Sequence, residues 1–183
     1  MGKSKVLLHI CCAPDATATV ERLRAEYDVL GYFQNDNIHP PEEFSRRLDN
    51  AERVAVALGF PLVPAGYHPE AWQTAVAGWE DEPERGRRCE ACFRHNLAAT
   101  AAKARELNIP AFATTLTISP HKDAALIFRL GRELARQQGV RFLEMDFKKQ
   151  DGFKRSLEWS RQLGLYRQNY CGCRYSSRGE KQG

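Results

Sequence analysis

The chain has 183 residues, of which 43% are hydrophobic and 27% charged, and its formal net charge is +4 at pH 7. This composition is ordinary for a globular protein. No apolar run approaches the roughly 20 residues that span a bilayer, and the first residues lack a signal-peptide pattern. We therefore expect a single cytoplasmic domain over residues 1–183, with no membrane partner. The positive charge mildly favours a polyanionic partner such as RNA.

The first part of the chain alternates short apolar strands with amphipathic helices. Residues 42–58 carry apolar side chains at the spacing of three and four that one face of a helix requires. Gly59 follows at the position where helices commonly end. The other predicted elements are strands over residues 5–10, 29–34 and 61–63 and a helix over residues 16–26. The order β-α-β-α-β predicts an α/β fold, with a parallel sheet flanked by helices.

The alternation continues after a charged, turn-rich segment at residues 78–88. A β-branched run at residues 111–117 predicts a strand, and residues 119–123 precede a helix that runs to about Gln138. The remaining predicted elements are helices over residues 72–76, 93–107 and near 152–163, and a strand over residues 140–145. A small cysteine-bearing extension follows the last helix.

Six cysteines fall in three close pairs: Cys11 with Cys12, Cys89 with Cys92, and Cys171 with Cys173. Two thiolates on one short segment can bind the same ion, whereas a disulfide within such a pair needs strained geometry. Six thiols exceed the four of a structural zinc site. A four-iron cluster takes four ligands, which leaves two thiols for a second metal. We expect reduced, redox-sensitive cysteines that bind metal on folding.

Some of these residues have alternative interpretations. The pair Cys89 and Cys92 alone is equally compatible with a structural zinc site and with a redox or cluster role. Asp15 offers an oxygen ligand that suits iron better than an all-sulfur site, or it is simply an acid favoured at a helix start. Gly172 allows a tight turn that directs Cys171 and Cys173 the same way.

Seven motifs occur in order from residue 6 to about residue 176. They are LLHICCAP (7–14), NIHP (37–40), DEP (81–83), RCEACFR (88–94), TTLTISPHK (114–122), DFKK (146–149) and LYRQNYCGC (165–173). Together they resemble the QueH-type epoxyqueuosine reductases. Many members of that family read Cys-Cys-Ala-Pro-Cys where this chain has Asp15, a departure that bears on how the ligands divide between metals.

The resemblance implies a cytoplasmic oxidoreductase of queuosine biosynthesis, which reduces epoxyqueuosine to queuosine at the wobble position of tRNA anticodons. It also implies a HUP-like fold (adenine nucleotide alpha hydrolase-like), a [4Fe–4S] cluster with an additional iron ion, and an external electron donor. Nucleotide-binding relatives carry a glycine- and serine-rich phosphate loop after the first strand. Because this chain has Cys-Cys-Ala-Pro there, we expect metal chemistry in place of ATP chemistry.

Within this resemblance we assign ligands and catalytic groups. The cluster is assigned to Cys12, Cys89, Cys92 and Cys171, and the second metal to Cys11, Cys173 and Asp15. Asp15, His9 and His121 are the catalytic candidates, and His9 could equally be a packed core residue. His121 follows Ser-Pro in a polar loop, which better suits a proton donor.

The candidate RNA contacts are cations and aromatic rings near the cysteines: Arg85, Arg87, Arg88, Lys122, Tyr166, Arg167 and Tyr170. Such groups bind phosphates and stack on splayed bases, although each charge run could equally be a solvated surface. Two other functions stay open. One is a zinc-stabilised, non-catalytic tRNA-binding protein. The other is an iron–sulfur tRNA thiolation enzyme, which would need ATP and therefore a phosphate loop.

Overall fold

The computed structural model describes residues 2–176, so residue 1 and residues 177–183 of the predicted domain lie outside the described residues. Five short strands form one sheet in the described part. They are β1 (Ser4–His9), β2 (Tyr27–Phe33), β3 (Leu62–Pro64), β4 (Ala111–Thr114) and β5 (Arg141–Phe142). All neighbours pair in parallel, in the order β3-β2-β1-β4-β5. The predicted α/β architecture, a parallel sheet flanked by helices, is confirmed.

Helices cover both faces of this sheet. They are α1 (Ala13–Leu23), α2 (Pro41–Leu58), α3 (Pro69–Ala75), α4 (Arg87–Glu106), α5 (Ala124–Gln138) and α6 (Gly152–Gln162). Within residues 2–176, no helix combines the length and apolar character needed to cross a membrane. The cysteine-bearing extension follows α6, as predicted.

Two element boundaries near the cysteines differ from the prediction. The strand predicted over residues 111–117 stops at Thr114 and continues as a 3-10 helix, Thr115–Ile118. The Thr114 hydroxyl accepts a hydrogen bond from the Leu116 amide at 3.2 Å, and such a local bond competes with strand pairing. Helix α4 begins at Arg87, so Cys89 lies inside its first turn instead of preceding the helix. The last strand is also shorter than predicted.

The core lies on both sides of β1, because successive side chains of a strand point to opposite faces. Val6 and Leu8 pack with α1 and α2, whereas Leu7 packs with Leu97 of α4 and Leu130 of α5. A parallel sheet buried on both faces is typical of α/β proteins. This packing fixes the carboxyl edge of the sheet, where the connections after β1, β2 and β4 lie.

Candidate metal centre

The candidate site lies at the carboxyl edge of the sheet, between β1 and β4. The strand order reverses between these two strands, and ligands of open α/β sheets bind in the crevice at such a point. β1 leads into Cys11, and β4 leads into Thr115. The Thr115 hydroxyl accepts a hydrogen bond from the Cys11 amide at 3.1 Å and donates one to the Cys11 sulfur at 3.1 Å. Two adjacent strand ends therefore meet at the first thiol.

Cys11, Cys12 and Asp15 form what we call the N-terminal ligand group, since one donor atom from each lies within 4.8 Å of the others. Cys12 is extended immediately before α1, and Asp15 lies in the first turn of that helix. The Cys11 sulfur is 3.4 Å from a carboxylate oxygen of Asp15. A hydrogen bond with Cys12, and then burial, raises the pKa of the Cys11 thiol. Crowded acids of this kind resist ionising together, and a bound cation would relieve their repulsion.

We call the other four thiols the four-thiol group: Cys89, Cys92, Cys171 and Cys173. Burial raises the pKa of both α4 thiols, and the two thiols of the extension raise it further by electrostatic repulsion. Cys92 and Cys173 pack in one small apolar cluster with Trp72. The Cys89 sulfur accepts a hydrogen bond from the Arg85 amide at 3.2 Å. Thiols about 80 residues apart in the chain thus face one another.

This grouping differs from the division of ligands predicted from the sequence. That prediction placed Cys12 with the cluster and Cys173 with the second metal. In the structure Cys12 lies beside Cys11 and Asp15, because all three belong to one turn between β1 and α1. Cys173 instead packs against Cys92.

Lys122 interacts electrostatically with both ligand groups. Burial lowers the pKa of its ammonium group, but the charges that Cys171 and Cys11 carry as thiolates, together with that of the Asp15 carboxylate, outweigh burial and raise that pKa above its ordinary value. Lys122 therefore carries a positive charge close to the thiols. Lys122 is half-buried, whereas a lysine that contacts RNA is expected to be exposed.

His9 has a structural place in the sheet. It is fully buried, its Nε2 lies 2.9 Å from the Gln34 carbonyl oxygen, and its Nδ1 lies 2.8 Å from the Thr114 hydroxyl. A carbonyl only accepts, so Nε2 carries the proton and Nδ1 accepts from the threonine. Burial lowers the pKa of His9 to about 4. The structure therefore favours the core interpretation of His9 over a role as proton donor.

His121 and Arg85 are both exposed, and they meet beside the four-thiol group. The His121 Nδ1 atom lies 3.4 Å from an Arg85 guanidinium nitrogen. Arg87, also exposed, places its guanidinium 5.0 Å from the ring centroid of Trp79. These groups are accessible, as an RNA contact or a proton donor to substrate requires.

Arg88 is buried, with 3% of its surface exposed. Its guanidinium donates to the backbone carbonyls of Glu80 and Glu82 and lies 4.9 Å from the ring centroid of Tyr175. The predicted RNA contact is thus corrected, because these partners direct Arg88 into the protein, where it anchors the loop before α4.

The aromatic residues of the extension also bind the protein itself. The Tyr166 hydroxyl donates to the Glu43 carboxylate at 3.0 Å, and the Tyr170 hydroxyl donates to the His39 carbonyl at 2.6 Å. Arg167 is exposed and donates to the Ser160 hydroxyl at 3.0 Å. The two tyrosines therefore attach the extension to the body, while Arg167 stays accessible.

Sequence patterns did not identify Thr115, Glu43 or Arg47 as parts of the site. Arg47 donates to backbone carbonyls of Tyr170 and Cys171. For Glu43 and Arg47, the sequence offered one indication: an acidic and a basic residue lie four positions apart on the core-facing side of a predicted helix. Such a pair is unusual at buried positions and indicates a specific partner.

Comparison with known proteins finds a matching family model and several named relatives. A family model described as Epoxyqueuosine reductase QueH matches residues 6–179. A relative from Streptococcus pyogenes, named epoxyqueuosine reductase QueH, is 38% identical over 182 residues, which cover 96% of this chain and 71% of the relative. A relative of the same name from Thermotoga maritima is 36% identical, with coverage of 93% and 89%.

A structural comparison supports the fold. The crystal structure of a chain described as a predicted subunit of tRNA methyltransferase from Methanocaldococcus jannaschii superposes with a TM-score of 0.54. It covers 84% of this chain and 76% of the other, at 13% sequence identity. The superposition shows a shared architecture. At this low sequence identity, it says nothing about the activity of the chain.

Proposed function

The chain belongs to the QueH family of epoxyqueuosine reductases, and on that premise we propose that it reduces epoxyqueuosine in tRNA to queuosine. This deoxygenation consumes two electrons and two protons and releases the epoxide oxygen as water. The observation that carries the proposal is the proximity of two thiol-rich ligand groups, because Cys171 interacts electrostatically with Cys11, and Lys122 interacts with both. A tRNA substrate also implies that the enzyme acts in the cytoplasm.

The donor atoms fit a [4Fe–4S] cluster and one additional iron ion. Four-iron clusters are held by four thiolates, and the four-thiol group supplies that number from two segments. The N-terminal ligand group adds two thiols and a carboxylate, a mixed set that suits iron. We therefore assign the cluster to Cys89, Cys92, Cys171 and Cys173, and the iron ion to Cys11, Cys12 and Asp15.

When bound, these groups supply single electrons and a Lewis acid for the epoxide oxygen. The side chains around them hold the ligands and control their surroundings. Thr115 fixes the Cys11 sulfur by a hydrogen bond. The buried ring of Trp72 keeps water from Cys92 and Cys173. Lys122 contributes a positive charge that offsets several nearby thiolates.

Substrate binding involves the exposed groups beside the four-thiol group. Arg85 and Arg87 are accessible and can contact anticodon phosphates, which position an RNA without reading its bases. His121 shares this surface and is our candidate for delivering a proton to the departing oxygen. The Trp79 ring next to Arg87 offers a surface on which a splayed base can stack.

The test is anaerobic turnover of tRNA carrying epoxyqueuosine, with a chemical reductant as the external electron donor. We expect a brown protein with iron and sulfide, and a product nucleoside that has lost one oxygen atom. Queuosine tRNA serves as the control substrate and should remain unchanged. A colourless zinc protein without turnover, or a reaction that requires ATP, would contradict the proposal.

A further inference from the structure

The segment that carries Cys171 and Cys173 lacks regular secondary structure. Buried backbone carbonyls in such a segment need partners from elsewhere in the protein. Three successive carbonyls have them. Those of Tyr170 and Cys171 accept hydrogen bonds from the Arg47 guanidinium at 3.3 and 3.0 Å. The carbonyl of Gly172 accepts from the His39 amide at 2.8 Å.

Arg47 itself is held rigidly. It lies on α2 with 2% of its surface exposed. Its Nε donates to the Glu43 carboxylate at 2.7 Å, and the Tyr166 hydroxyl shares its one proton between the two Glu43 oxygens, at 3.1 and 3.0 Å. The guanidinium also lies 5.1 Å from the ring centroid of Tyr170. A planar guanidinium with several fixed partners presents its donors in one geometry.

The turn between the two thiols is shaped around this guanidinium. Gly172 has a φ of 130°, a region that residues with a Cβ rarely adopt. A Cβ at this position would lie 3.0 Å from an Arg47 terminal nitrogen and 3.3 Å from Ile38. The backbone between Cys171 and Cys173 therefore lies directly against Arg47.

We propose that Arg47, supported by Glu43, is a positioning residue that presents Cys171 and Cys173 to the α4 thiols before any metal arrives. The relevance of these thiols as ligands rests on the proposed function. Their positioning by Arg47 is a property of the protein without metal and is measured there.

A residue that only stabilises the fold would have a different effect when removed. Its loss would make global unfolding more frequent and would expose all six thiols together. Loss of a positioning residue releases one segment and leaves the sheet intact. The reactivity of individual thiols separates these two cases.

The experiment measures alkylation of each cysteine by iodoacetamide in the reduced, metal-free protein, by mass spectrometry. Arg47→Lys keeps the charge but cannot reach both carbonyls and Glu43 in one plane. The double variant Glu43→Gln with Arg47→Met removes both charges, which avoids leaving an unpaired buried carboxylate. Arg105→Met is the matched control, because it removes an exposed arginine near the far end of α4.

We expect Cys171 and Cys173 to react about tenfold faster or more in both Arg47 variants, since hydrogen bonds from a charged donor are lost. Cys12, on the connection after β1, should keep its wild-type rate, and Arg105→Met should match the wild type throughout. Unchanged rates at Cys171 and Cys173 would overturn the proposal, and so would an equal increase at all six thiols.

Reconstitution with iron and sulfide distinguishes this inference from the proposed function. In the Arg47 variants we expect less bound iron and sulfide per chain than in Arg105→Met. If the wild-type protein binds no iron, the proposed function fails. The alkylation rates still decide the role of Arg47 in that case.

Discussion

The Thr115 hydroxyl bonds to Cys11 twice, as acceptor from its amide and as donor to its sulfur, both at 3.1 Å. One side chain on the connection after β4 thus fixes both the backbone and the thiol of a residue on the connection after β1. A donor to a ligand sulfur stabilises the thiolate, which is the form that binds metal.

Thr115→Val should therefore weaken metal binding and turnover. Valine keeps the shape but loses both bonds, and changes of this kind typically cost about 10- to 100-fold in metal affinity or activity. Thr115→Ser keeps the hydroxyl and should stay close to the wild type. Iron content after dialysis against a graded chelator series, together with turnover, measures the effect. Equal iron retention by the valine and serine variants would contradict it.

The two ligand groups should be separable by substitution. Cys89→Ala removes a donor from the four-thiol group, so the visible absorbance of the cluster should disappear together with turnover. Asp15→Asn should keep that absorbance and the sulfide content but lose the additional iron and turnover. Asp28→Asn, at an exposed position on β2, is the control. Loss of sulfide in Asp15→Asn would show that our division of the ligands is wrong.

Acid should destabilise the protein through His9. Burial holds its folded pKa at about 4, against an ordinary value of 6.5, so below pH 6.5 the unfolded chain binds the extra proton. The stability from neutral His9 is present above about pH 6.5 and is lost as the pH falls to about 4. That loss is about 3 kcal/mol, at about 1.4 kcal/mol per pKa unit.

Urea unfolding of the metal-free protein measures the effect at about pH 7.5, above the range over which stability is lost, and at about pH 4, at its lower end. His9→Gln should lose less stability between the two conditions than the wild type does. His121→Gln, which changes an exposed histidine, should behave as the wild type. An identical pH dependence in all three proteins would exclude His9 as the cause.

Arg87 and Arg88 are adjacent in sequence but should respond differently to substitution. Arg88→Met leaves two backbone carbonyls without their charged donor, so the free energy of unfolding should fall by about 1 to 3 kcal/mol. Arg87→Gln should leave stability unchanged and weaken tRNA binding. If Arg87 contacts a phosphate, the slope of log affinity against log salt should decrease by about 1. A stability loss confined to Arg87→Gln would contradict both assignments.

Much of the fold could be predicted from periodicity and helix ends. The apolar spacing before Gly59 predicts α2 correctly, and Gly59 ends that helix with a φ of 61°. The strand predicted over residues 111–117 was too long. Its threonines favour extended structure on average, but the Thr114 side chain bonds to the Leu116 amide and bends the chain. Average propensity does not contain such a local bond.

The sequence identifies candidate ligands by residue type but does not show which of them lie together in the fold. Thiols and a carboxylate are recognisable as ligands wherever they lie in a sequence. Which of them meet depends on packing between distant segments, as the contact of Cys92 with Cys173 shows. Arg47 was missed for the same reason, because its partners lie more than 120 residues later in the chain.

His9 also holds the strand ends beside the candidate metal centre. Its ring bridges the ends of β2 and β4 from within β1, two residues before Cys11. Three strand ends are therefore held at fixed spacing directly beneath the first thiol. Ligands attached to such a layer move little when the charge on a bound centre changes by one electron. For the cluster and the iron ion that we propose, such a layer would keep the reorganisation energy of electron transfer low, since its polar groups are already in place.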